Sequence, residues 1–306
     1  MKNACSHFQP SISRNPLGLI PLMICLFFFT WGSDASALVI IRNFTGGSPP
    51  TTSIGKGNLI EIFHAAADQW ERAILDDHTV IVNFGWAPIG GGTHTLIHQG
   101  GIPNRETEGT ILFNNDTNPH HFQWWLDPTP DHHEEFQTYQ ESFQNLGGGR
   151  INVGRVFSEP VGEFASGNYH DLLSIALHEI GHALGKSLAN KSWGQETTEG
   201  MIEVTAPQPY PGTVIPLARN HAGVTTHFHP TKIHGRPIMS SAQSRTRQAL
   251  SELDIVANAQ LSRFTNITLN PLHSHRISHQ AAPVDFLPAN TTVPTENEKR
   301  NEVAFQ

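Results

Sequence analysis

The chain has 306 residues, enough for one full domain with a real core. Charged residues make up only 15%, the formal net charge is −8, and no Lys/Arg cluster offers phosphate neutralisation, so nucleic acid is not expected as a partner. With 19 histidines in the chain, a histidine on its own says nothing about a ligand.

Residues 1–37 read as a secretory signal. Lys2 and Arg14 supply a positive start, and 17–31 is an apolar run of h-region length, too short to span a membrane with ease. Ala35-Ser36-Ala37 is a small-residue A-x-A site, so cleavage is expected after Ala37; an uncleaved anchor is the alternative. Cys5 and Cys25 both precede that site, so the mature chain would have neither disulfides nor thiol chemistry. No second apolar run of spanning length follows. The expectation is a secreted protein, extracellular or periplasmic, with no membrane segment after cleavage.

In chain order, 38–44 reads as a strand and 45–57 as a Gly/Pro/Ser/Thr connection. Asn58 caps a helix with Glu61 three residues on, and Leu59, Ile62, Phe63, Ala66, Trp70, Ala73 and Ile74 form its apolar stripe. Strands are expected over 79–86, more weakly over 93–97, and over 109–114. His94 and His98 have Thr, Gly and Gln neighbours and read as surface residues. His120-His121 and His132-His133 lie in an Asp/Pro/Trp-rich loop and receive no ligand role. Trp124-Trp125 reads as core, 136–146 as a short helix, and 150–157 as a strand.

The stretch 168–185, NYHDLLSIALHEIGHALG, carries the chemistry. Asn168 can cap a helix, with Asp171 three residues on; Leu173, Leu177, Ile180 and Leu184 give it an apolar face. His178 and His182, four apart, project one turn from each other on the same side and can reach one ion. Glu179 points beside that ion and suits a general base for water. Gly185 ends the helix. Beyond it, 206–216 reads as a Pro-rich extended loop and 247–261 as a helix capped by Ser251, with Asp254 three on. Residues 265–306 read as a flexible tail in which His273, His275 and His279 could take up adventitious metal.

His178, Glu179, His182 and Gly185 resemble the metzincin zinc-peptidase pattern H-E-x-x-H-x-x-G-x-x-H, and ALHEIGHALG is especially similar to the matrixin branch. One departure stands out: the pattern's third His would fall on Leu188. In leishmanolysin-like metzincins an insertion delays that His, which precedes an aromatic residue and, shortly after, the Met-turn. His227-Phe228 followed by Met239 in 237–241 is similar, so the resemblance makes His227 the third zinc ligand and Met239 the Met-turn residue. His229, His221 and His234 are alternatives; a carboxylate at Glu196, Glu199 or Glu203 would indicate a thermolysin-like arrangement instead. The resemblance implies an α+β fold over 38–264: a twisted, mainly parallel sheet, two long helices, and a smaller C-terminal subdomain with the Met-turn. It also implies Zn²⁺ and hydrolysis of protein or peptide substrates. The rival expectation is a binding module of the same fold with little or no turnover.

Overall fold

In 38–44, 80–84 and 111–113, buried Leu38, Ile40, Val80, Val82, Phe84, Ile111 and Phe113 alternate with residues of greater exposure, as strands do when one face is covered. The computed structural model describes residues 37–271 except Pro119 and Ala242. The expected signal segment up to residue 36, and the tail from 272 with His273, His275 and His279, lie outside the described residues. The first elements are β1 (Leu38–Gly46), α1 (Leu59–Ala73), β2 (His78–Ala87), β3 (Gly92–Gly100) and β4 (Arg105–Asn114). Their sheet has the order β1-β2-β4-β3. β1, β2 and β4 run parallel, and β3 returns antiparallel along β4 as the edge. α1 starts where expected: the Asn58 side chain accepts the Glu61 amide at 3.0 Å. It packs Ile62 and Phe63 on the sheet, Phe63 stacking on Phe84 at 4.0 Å. Each such side chain contributes roughly 1.5–3 kcal/mol by burial.

Next come β5 (Trp124–Trp125), β6 (Phe136–Asn145), β7 (Arg150–Pro160), a 3-10 turn (Gly162–Ser166), β8 (His170–Asp171) and α2 (Leu172–Ala183). Two expectations fail here. The helix read over 136–146 is β6, antiparallel to β7. Phe136, Tyr139, Phe143 and Leu146 do recur at helical spacing, but β7 offers the segment a full ladder and cross-strand ring contacts such as Tyr139–Phe157 at 4.7 Å, and the long-range pairing overrides the local pattern. The helix read from Asn168 begins only at Leu172. His170 and Asp171 pair in parallel with Trp124 and Trp125, which keeps the chain extended, so Asp171 becomes the cap and accepts the Ser174 amide at 3.0 Å.

The remainder comprises α3 (Lys191–Glu196), β9 (Thr197–Thr198), β10 (Met201–Glu203), β11 (Val214–Asn220), β12 (Gly223–Phe228), β13 (Arg247–Ala249) and α4 (Glu252–Ser262). A second sheet has the order β12-β11-β10-β9, and a third β13-β7-β6. The expected loop over 206–216 therefore ends in strand from Val214. The helix expected from 247 opens with a strand, because Arg247, Gln248 and Ala249 pair with Phe157, Val156 and Arg155. Its Ser251–Asp254 capping box forms as read. The tail does not begin at 265: Thr265 and Asn266 donate to Asp76, Ile267 bridges Ile74, and Leu269 accepts from Arg155. The described residues thus form a mixed α+β fold with several sheets and four α-helices; pairing is mainly parallel in the first sheet and in the short β5-β8 pair, and antiparallel in the other two sheets. Among them no helix is long and apolar enough to cross a membrane.

Candidate metal centre

Trp70 of α1 donates its indole N–H to the Leu177 carbonyl at 2.9 Å, tying α2 to the layer above the first sheet. On α2, Leu173, Leu177 and Ile180 are buried, as the periodicity predicts, but so are His178, Glu179 and His182. Gly181 lets a neighbour reach the bare helix backbone: a Cβ there would collide with the Met239 sulfur and lie 3.3 Å from Trp70. Met239, fully buried, therefore sits against the bare backbone between the two histidines. Its turn is pinned from below, because the amides of Ile238 and Met239 each donate to the Asp254 carboxylate at 3.0 Å.

The turn also orients the first histidine. His178 Nδ1 lies 2.7 Å from the Ile238 carbonyl, and His182 Nδ1 lies 2.6 Å from the Lys186 carbonyl. A carbonyl only accepts, so in each neutral ring Nδ1 carries the hydrogen and Nε2 the lone pair. Gly185, at φ 130°, lets the chain reverse and bring that Lys186 carbonyl back. β12 then delivers His227. His178 Nε2 is 2.9 Å from His182 Nε2 and 3.2 Å from His227 Nε2. An ion held tetrahedrally by imidazoles at about 2.0–2.1 Å separates its ligand nitrogens by about 3.3 Å. Burial, then the neighbouring His182 and His227, hold His178 well below its usual titration range; burial and His182 do the same for His227. Neutral rings with converging nitrogens fit a cation, and these three residues could hold one metal ion.

The other candidates lie elsewhere. His221 and His234 are exposed, and His229 is engaged with Thr231. Glu196 pairs with Arg263, while Glu199 and Glu203 are exposed. Glu179 is buried on the side of α2 that faces β3, where a Cβ on Gly92 would come within 2.7 Å of its Oε1. His98 is exposed as read, but His94 is not a surface residue. It is buried and meets Glu106 at 2.8 Å, because β3 turns it inward towards α2. Fully buried Lys186 was also not legible; its ammonium lies 3.0 Å from the centroid of the Phe228 ring.

No family model matches the chain, and neither does any curated protein or solved structure. Fold and site define a mixed α+β protein with a candidate three-histidine metal centre formed by an H-E-x-x-H helix and His227 of β12.

Proposed function

We propose that the protein is a secreted zinc-dependent endopeptidase of metzincin type. The observation that carries this reading is the convergence of His178, His182 and His227, with Glu179 next in sequence and buried beside them. Three imidazole ligands with a remaining open position are the catalytic zinc pattern. The Met239 turn beneath the helix, and the A-x-A signal pattern before Leu38, support the family and the export route.

When bound, zinc supplies a Lewis acid that polarises a carbonyl and acidifies water. Glu179 takes a proton from the attacking water as it adds to the scissile carbonyl carbon, and gives it to the departing amine as the C–N bond breaks. His178 and His182 are held by the carbonyls of Ile238 and Lys186, so neither ring needs to reorient. β3, the antiparallel sheet edge beside Glu179, offers backbone groups to an extended peptide.

The test is Glu179→Ala. Exported protein should begin at Leu38, and the variant should retain one zinc per chain while its casein cleavage falls by about 10²–10⁴-fold, the range of general-base catalysis. Cleavage at the wild-type rate would remove Glu179 from this role. Zinc retained by a wild-type protein that cleaves no unfolded substrate would replace the peptidase reading with a binding module.

A further inference from the structure

β3 and β4 bury an ionisable pair behind the metal centre. His94 Nε2 lies 2.8 Å from Glu106 Oε1, and both side chains are wholly buried. A buried carboxylate is costly by several kcal/mol unless a donor receives it, so this pairing is built rather than incidental. The local backbone shows how. Along β3 and β4, Glu108 faces His98 and Glu106 faces Gln99, so Thr107 is an extra residue on its strand. That bulge shifts the alternation and puts Glu106 on the inner face with Gly109, Ile111 and Phe113. Gly109 leaves the space: a Cβ there would overlap the Glu106 carboxylate and lie 3.1 Å from His94 Nε2. On β3, Gly92 and His94 both face α2. Gly92 admits Glu179, and the His94 ring lies 6.3 Å from the His182 ring with the planes only 20° apart.

We propose that His94, held by Glu106, is a positioning residue for the metal ligand His182. It fixes the face of the His182 ring, while the Lys186 carbonyl fixes its edge. One strand thereby sets two neighbours of the centre, through the absence of a side chain at Gly92 and the presence of one at His94. This rests on the metal-centre part of the proposed function and not on turnover.

The experiment uses the full chain, stripped of metal and titrated with cobalt(II) alone. Affinity is read by chelator competition and coordination geometry by the visible d–d bands. His94→Ala should weaken cobalt binding by about 10–100-fold and alter the bands. Glu106→Gln should move both in the same direction by less, and His94→Gln should recover part of the loss. His98→Ala, on the exposed side of the strand, should change neither. A folded His94→Ala protein with wild-type affinity and bands overturns the inference; if that variant does not fold, wild-type behaviour of Glu106→Gln overturns it. A wild-type protein that takes up no cobalt removes both this inference and the peptidase reading. Normal cobalt binding with the expected variant effects, but no proteolysis, leaves the positioning role standing and removes only the peptidase reading.

Discussion

At its N-terminal end, α2 meets Arg247, a fully buried guanidinium ringed by Asp171, Glu135 and Asp127. Arg247 contacts both oxygens of Asp171, at 2.9 and 3.1 Å, and donates to the His132 carbonyl at 2.7 Å. Less than two turns further on, His178 begins the histidine cluster. Both centres are buried and polar, but they are balanced differently. At the arginine, donors and acceptors are matched within the protein: burial alone would lower its pKa, and Asp171, Glu135 and Asp127 raise it above the ordinary range. At the histidines the converging groups are three imidazole nitrogens, a donor set that could hold a metal ion. The start of the helix is therefore fixed by the chain itself, while on the proposed reading its histidine end is completed by a metal ion. Folding and metal loading should be separable.

The largest expected effect is at the self-matched end. Arg247→Met removes the guanidinium paired with three carboxylates, Asp127, Glu135 and Asp171. Breaking a buried pair in this way is destabilising by about 3–5 kcal/mol. Urea unfolding at pH 7 measures it, and a loss below about 1 kcal/mol would show that the cluster does not anchor α2.

The second effect probes the other end. Zinc at a thousandfold excess over its Kd should stabilise the wild-type protein by about 4 kcal/mol. His227→Ala should lose most of that increment and release zinc to a weak chelator, while unfolding like the wild type when both lack metal. His229→Ala, His221→Ala and His234→Ala should keep the increment, since none of them joins the cluster. Thermal melts with and without zinc decide the assignment. Loss of the increment in His229→Ala rather than in His227→Ala would discard it.

The same contrast explains what was legible in the sequence. The two histidines of α2 are spaced by the helix itself, so His178 and His182 could be read from periodicity alone. His227 arrives from 45 residues further on, through β10, β11 and β12, and only a resemblance pointed to it. Glu106 was missed because a β-bulge reversed the alternation of β4, whereas His94, paired with Ile111 ahead of that bulge, was misread because its Thr, Gly and Gln neighbours gave no sign that this face of β3 is covered. Arg247 was placed inside a helix because its apolar followers suggested one. Its strand pairing with β7, and the carboxylates drawn from 127–171, are contacts across the chain that no local pattern encodes. Asp171 was recognised as favourable for a helix start, but one short strand moved the cap onto it.

The smallest effect sharpens the comparison through pH. Burial pushes the Glu135 carboxyl up to about 8, with Asp127 adding to the rise and Arg247 opposing it. Burial would raise Asp127 too, but Arg247 and its hydrogen bonds hold it below its usual value of 3.8. One proton is thus kept on Glu135 among the three carboxylates. Between pH 4.5 and about 8 the native state holds that proton and the unfolded chain does not, so this group makes stability fall as pH rises through the window. Asp127 acts lower, its contribution being lost as pH drops below 3.8. The buried histidines act with the opposite sign to Glu135. Burial lowers His133 and His170 to about 4, and His178 and His227 are lowered as well, so they remove stability as pH falls below 6.5. The two effects overlap up to pH 6.5 and separate above it. In chelator, stability of the wild-type protein should therefore peak near 6.5 and decline towards 8. Glu135→Gln keeps a neutral hydrogen-bonding side chain in place, changes stability at pH 6 by about 1 kcal/mol or less, and should flatten the decline. Urea midpoints at pH 5, 6.5 and 8 test this. An unchanged decline in the variant would assign the lost proton to some group other than Glu135.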